Sequence, residues 1–124
     1  MKSQKGVMNE SRFSSGFNVF LTALSEEAEG NSLDQFVPSE NLIKQFSLKK
    51  IDGLFNIFGF LQTDNSFQEK EVEKIGGKLI PYSLQIYSFH IPIESIQKLI
   101  QIKGITFIEI NQKTRTKQTN TKRD

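Results

Sequence analysis

His90 is the one histidine of this chain, and no cysteine accompanies it. An imidazole works as a general base only beside a nucleophile and a group that orients it. In QIYSFHI it alternates with Phe89 and Ile91, a strand pattern that turns it to the side opposite those two residues, and no Asp or Glu cluster lies with it. It therefore reads as a structural or surface histidine. Glu69, Glu71 and Glu73 are spread around a helical segment and read as its solvated face. Without cysteine there is no disulfide, thiolate metal site or cysteine nucleophile. Gly76-Gly77 ends a helix signal rather than opening one, so it is not a phosphate loop. The expectation is a chain with no catalytic residue, no metal site and no cofactor, hence not an enzyme.

The other chemically distinctive stretch is residues 111–124, NQKTRTKQTNTKRD, with five basic groups, one acid and no apolar side chain. Such a tail touches phosphates only non-specifically. The formal net charge of the whole chain is +2, too small to imply a polyanion partner. The tail reads either as a solvated terminus or as an extended segment that lies in a partner's groove.

The elements that would position these residues are legible between Leu54 and Lys113. LFNIFGFLQT is an apolar strand run, and SFQEKEVEKIGG is a helix signal with Ser66 and Glu69 at capping-box spacing and glycines at its end. KLIPYS and QIYSFHI are two short strands. PIESIQKLIQIKG is a second helix, with Pro92 in its first turn, a stripe of Ile93, Ile96, Leu99 and Ile100, and Gly104 as its stop. ITFIEINQK is the last strand. The order β-α-β-β-α-β predicts an α+β domain with a ferredoxin-like antiparallel sheet and two helices on one face, over about 67–76 and 93–103. Pro81 cannot donate to a ladder, which places its strand at a sheet edge.

Before this module, Ser14 or Ser15 caps a helix in which Phe17, Phe20, Leu21 and Leu24 recur on one side; a strand over FNVFLTAL is the alternative. Ser39 can cap a helical turn in SENLIKQF, and Asp52-Gly53 is a hairpin dipeptide that would add a strand before the module. The domain reading is a disordered 1–13, a helical extension and connector over 14–53, the module over 54–113 and a flexible basic tail over 114–124. No transmembrane stretch and no secretory leader are read, which leaves the location unknown and cytoplasmic only by default. Eleven phenylalanines and no tryptophan make the core plain hydrocarbon.

The strand LFNIFGFLQ is apolar on both sides: Leu54, Phe58 and Phe60 point one way, Phe55, Ile57 and Leu61 the other. In the last strand Ile105 and Phe107 oppose Ile108 and Ile110. A strand with one wet face alternates apolar and polar, so the helix-free face is expected to be covered, by the N-terminal helix or by a partner.

Residues 69–115, EKEVEKIGGKLIPYSLQIYSFHIPIESIQKLIQIKGITFIEINQKTR, resemble the N-terminal prodomain of subtilisin-like serine proteases, and most closely the fervidolysin-like prodomains. The resemblance lies in the helix ending Ile75-Gly76-Gly77, the run Phe89-His90-Ile91-Pro92-Ile93, the helix with Ile96 and Leu99, Gly104-Ile105 and Phe107-Ile108-Glu109. Asn56 to Gln62 fits the first strand of such a prodomain, so the likeness spans about residues 50–115. It implies an intramolecular chaperone and temporary inhibitor of a subtilisin-like catalytic domain, in cis or in trans. It implies docking through the open sheet face, with Phe55, Ile57, Leu61, Ile108 and Ile110 as candidates. It implies a cleft segment of Asn111, Gln112, Lys113, Thr114, Arg115, Thr116 and Lys117. Rival readings are an ACT-like small-molecule sensor, which shares the element order, and a module whose sheet face dimerises.

Overall fold

The computed structural model describes residues 12–111. Helix α1 (Ser15–Ala28) starts where the Ser14 hydroxyl accepts from the Phe17 amide, and it ends on a left-handed Glu29. Helix α2 (Glu40–Phe46) is capped in the same way by Ser39 onto Leu42. The Glu27 carboxylate of α1 accepts from both the backbone and the hydroxyl of Ser39, which ties the two helices together. Strand β1 (Lys49–Ile51) turns back into β2 (Leu54–Thr63) through Asp52 and Gly53, whose φ angles of 52° and 86° are those of a tight primed hairpin turn.

The rest follows as α3 (Glu69–Lys74), β3 (Lys78–Ser83), β4 (Ile86–Pro92), a short 3-10 turn (Ile93–Ser95), α4 (Ile96–Leu99) and β5 (Ile105–Ile110). All strand pairs are antiparallel, and β2 is central. One edge of β2 pairs with β4, which pairs in turn with β3; the other edge carries β1 and β5 end to end. The molecule is thus α+β, with a five-strand antiparallel sheet compatible with the expected split arrangement. β3 is an edge strand, so the missing N–H of Pro81 costs no ladder bond on its free side.

Three local expectations change. Ser66 is not a helix cap: α3 begins after Gln68 with no side-chain cap. Ser66 instead donates its amide and hydroxyl to the Asp64 carboxylate, an Asx turn, and those bonds hold that carboxyl below its ordinary range. The second helix stops at Leu99 rather than near 103, because Gln101 and Ile102 continue it only with three-residue bonds. Gly104 is therefore not its cap. At φ +91° it makes the turn into β5, and a Cβ there would overlap the Phe67 backbone. Finally, Arg12 and Phe13 belong to the fold, Phe13 being buried and paired with Ile108.

The core is continuous. Phe17, Phe20, Phe46, Ile57, Leu61, Val72, Ile91, Ile96, Leu99 and Ile108 are its fully enclosed side chains. Phe13, Phe17, Phe20 and Phe46 form a chain of ring contacts at 5.0 to 6.4 Å that runs from β5 through α1 to α2. Leu99→Ala leaves a hole under the sheet and is expected to cost about 2–5 kcal/mol. In a domain this small that is a large part of the total stability, and chemical denaturation reads it as a shifted midpoint at unchanged slope.

Candidate functional site

Pleating sorts the residues of β2 by parity. Phe55, Ile57, Gly59, Leu61 and Thr63 point to the helices; Asn56, Phe58, Phe60 and Gln62 point to the other face. Four of the five residues expected to dock a partner lie in the core: Ile57, Leu61 and Ile108 are fully buried, and Ile110 nearly so. Phe55 is half-buried against the same core, with the Lys50 ammonium 5.5 Å from its ring. This corrects the face assignment. The physical reason is anchoring: α1, α3 and α4 all pack on the odd-numbered side, so the aliphatic set of β2 and β5 is enclosed there.

Helix α1 does not cover the opposite face, as one expectation had it. It lies in the helical layer, forming with α4 a groove lined by Leu21, Leu24, Ala28, Ile96 and Ile100. The helix-free face is left to Phe58, Phe60, Ser88, His90 and Glu109, with Ile80 and Tyr82 toward the β3 edge. Ile80 is 63% exposed, Tyr82 72% and the hairpin residue Leu84 89%. Large apolar side chains gathered on a sheet face mark a surface for another macromolecule more often than for water.

Two bulges shape this face. Between Pro81↔Tyr87 and Ser83↔Ile86 the register slips, leaving Tyr82 as the extra residue. Its ring then leans over β4 to meet Phe60 at 5.6 Å, edge to face, which the small Ser88 opposite Phe60 permits. The second slip falls between Gln62 and Thr63, where β5 carries Thr106 as its extra residue.

His90 also belongs to this face. It pairs across the strands with Phe58, whose ring lies 5.1 Å away, and with Lys78. The Asn56 amide donates to the Leu54 carbonyl at 3.0 Å, so its Oδ1 is turned to His90 Nδ1, also at 3.0 Å. That arrangement puts the imidazole proton on Nδ1 and leaves Nε2 as an acceptor. The partner of His90 is an amide, not a carboxylate or a nucleophile. No group of three or more His, Cys, Asp or Glu among the described residues could hold a metal. No helix among them is long and apolar enough to cross a membrane.

Of the expected cleft segment, Asn111 is exposed and its amide donates to the Phe58 carbonyl at 2.8 Å, which holds it to β2 just past the end of β5. Gln112 to Lys117 lie outside the described residues. Sequence reasoning does not single out Phe58, Phe60 and Tyr82 as the aromatic set of the helix-free face. The signal was present, because β2 residues of the same parity as His90's partner had to share its wet face, but that parity depends on register. In comparisons with known proteins, no family model matches the chain and no curated protein matches its sequence.

Burial lowers the proton affinity of His90, and the Lys78 ammonium adds to the effect. The unfolded chain then binds the proton more readily than the folded one, so the contribution is complete above the ordinary histidine value and is lost as pH falls from there through the lowered folded value. The melting temperature is expected to fall as pH drops below about 6.5. His90→Gln should flatten that part of the curve, which thermal melts at matched ionic strength will show.

Proposed function

We propose that this chain is a non-enzymatic, prodomain-like binding module with a ferredoxin-like core, whose partner is a subtilisin-like serine protease catalytic domain, in cis or in trans. The observation that carries the reading is the open sheet face. It is aromatic, it is left bare by every described element, and β5 ends at its border with Asn111 still bonded to Phe58. The sequence resemblance supplies the kind of partner, and the face supplies the means. Phe58, Phe60 and Tyr82 would bury against the protease surface in place of the residues first expected there, in the manner of aromatic anchors at an interface centre. Residues 111–117 would enter the cleft as an added strand held by main-chain bonds, which tolerate the polar composition of that segment.

Titration of a subtilisin-like protease with the full chain tests the reading. Inhibition is expected, and Phe58→Ala should weaken it by about tenfold or more, as truncating an anchor does. A chain ending at Ile110 should dock but not inhibit. Equal inhibition by both lengths would remove the tail from the mechanism. Failure of both to bind, with a dimer on gel filtration, would favour the self-association reading.

A further inference from the structure

We infer that the open face holds a receptor notch for a basic side chain, so that the partner docks by inserting a lysine or arginine; this rests on the face being a protein-binding surface. The notch has a volume of about 220 Å³ and is lined by Phe60, Gln62, Tyr82, Ile86, Phe107 and Glu109. Its construction follows from register. β5 sets Glu109 against Phe60 and Phe107 against Gln62, β4 sets Ile86 against Gln62, and the bulge at Tyr82 swings that ring over to Phe60. Both register slips of the sheet therefore flank this one depression. A bulge re-aims a side chain at the expense of a ladder bond.

The lining selects a cation. Three aromatic rings line the notch, and aromatic rings attract a positive group and cover an alkyl stem. Glu109 is exposed, and it has no hydrogen-bond or ion-pair partner within the described residues. Its carboxylate is available for charge-assisted hydrogen bonds to an ammonium or guanidinium. The other charges of the face are Lys78, on the far edge strand opposite His90, and Lys49, opposite Asn56 on β1. Three strand spacings, roughly 14 Å, separate β3 from β5, and Asn56 lies four residues, roughly 13 Å, along β2 from the Phe60 that faces Glu109, so neither lysine neutralises Glu109. An acidic side chain in the notch would be repelled by Glu109, and an alkyl one would leave the carboxylate unused.

The test is NMR titration of the isotope-labelled full chain with N-acetyl-arginine methylamide, and with the neutral citrulline and norleucine counterparts. Saturable shifts are expected at the amides of Phe60, Gln62, Tyr82, Phe107 and Glu109, with arginine roughly threefold to fivefold tighter than citrulline. Glu109→Gln should remove that preference, and Tyr82→Ala should weaken both. These side chains are exposed, and spectral dispersion verifies that the variants are folded. Equal binding of arginine and citrulline, or shifts scattered over the surface, would overturn the inference. A second variant neutralises the chain's own bases: Lys113→Gln, Arg115→Gln, Lys117→Gln, Lys122→Gln and Arg123→Gln together. If only that variant titrates, the occupant is the chain's own tail and the partner assignment falls. The protease titration fails independently: loss of inhibition with the arginine preference intact refutes the choice of protease, not the notch.

Discussion

The backbone pairing of Ile108 with the start of the fold determines how everything else is arranged. Ile108 donates to the Arg12 carbonyl at 2.8 Å and accepts from the Ser14 amide at 2.9 Å. The Arg12 guanidinium reinforces the joint by donating to the Ile100 carbonyl at 2.6 Å. With Phe13 held against the outer edge of β5, α1 has to begin beside the helical layer. Its apolar stripe then closes over Ile108 rather than over the other side of the sheet. The same pairing satisfies main-chain groups on β5 that would otherwise form a bare edge.

Because α1 joins α3 and α4, the described elements cover the sheet on one side only. A two-layer domain of this size needs no second cover, since its apolar burial is supplied by the phenylalanine chain from Phe13 to Phe46 and by the isoleucines of β4, α4 and β5. The cost of that economy is an aromatic face that no described element covers. Polar neighbours temper it: Ser88, His90, Gln62 and Glu109 stand among the rings, and Asn56 fixes the imidazole through a short amide bridge. Such mixing of rings with polar groups suits a surface that is wet when free and dry when bound.

The bulges give the face relief. In a regular ladder, Tyr82 would stand upright at the edge, and the rings would form a flat row. The slip at Tyr82 tilts one ring onto another, and the slip at Thr106 puts a bulge in β5 next to Phe107. Edge strands with bulges and proline also resist pairing with a stray strand. β3 has both, so its rim is a poor template for an added strand.

The sequence by itself determined the elements and most of their punctuation. The i, i+3, i+4 recurrence of Phe17, Phe20, Leu21 and Leu24 marks α1, Ser14 and Ser39 cap their helices, Asp52-Gly53 turns the hairpin, and Pro81 lies on an edge strand. These are local properties, set within a few residues by hydrogen-bonding groups and allowed φ angles. The capping box at Ser66 does not form, because Asp64 accepts from the Ser66 amide that the box would give to Glu69, and the helix starts only at Glu69 itself. Which side of β2 faces the core was not legible. Both sides are apolar, and pleating gives two equivalent phases until something outside the strand chooses between them. The choice came from the contact of Phe13 with Ile108, ninety-five residues along the chain, and from where the helices could then pack. Only the tertiary structure decided that Ile57, Leu61 and Ile108 are core while Phe58, Phe60 and Tyr82 are surface.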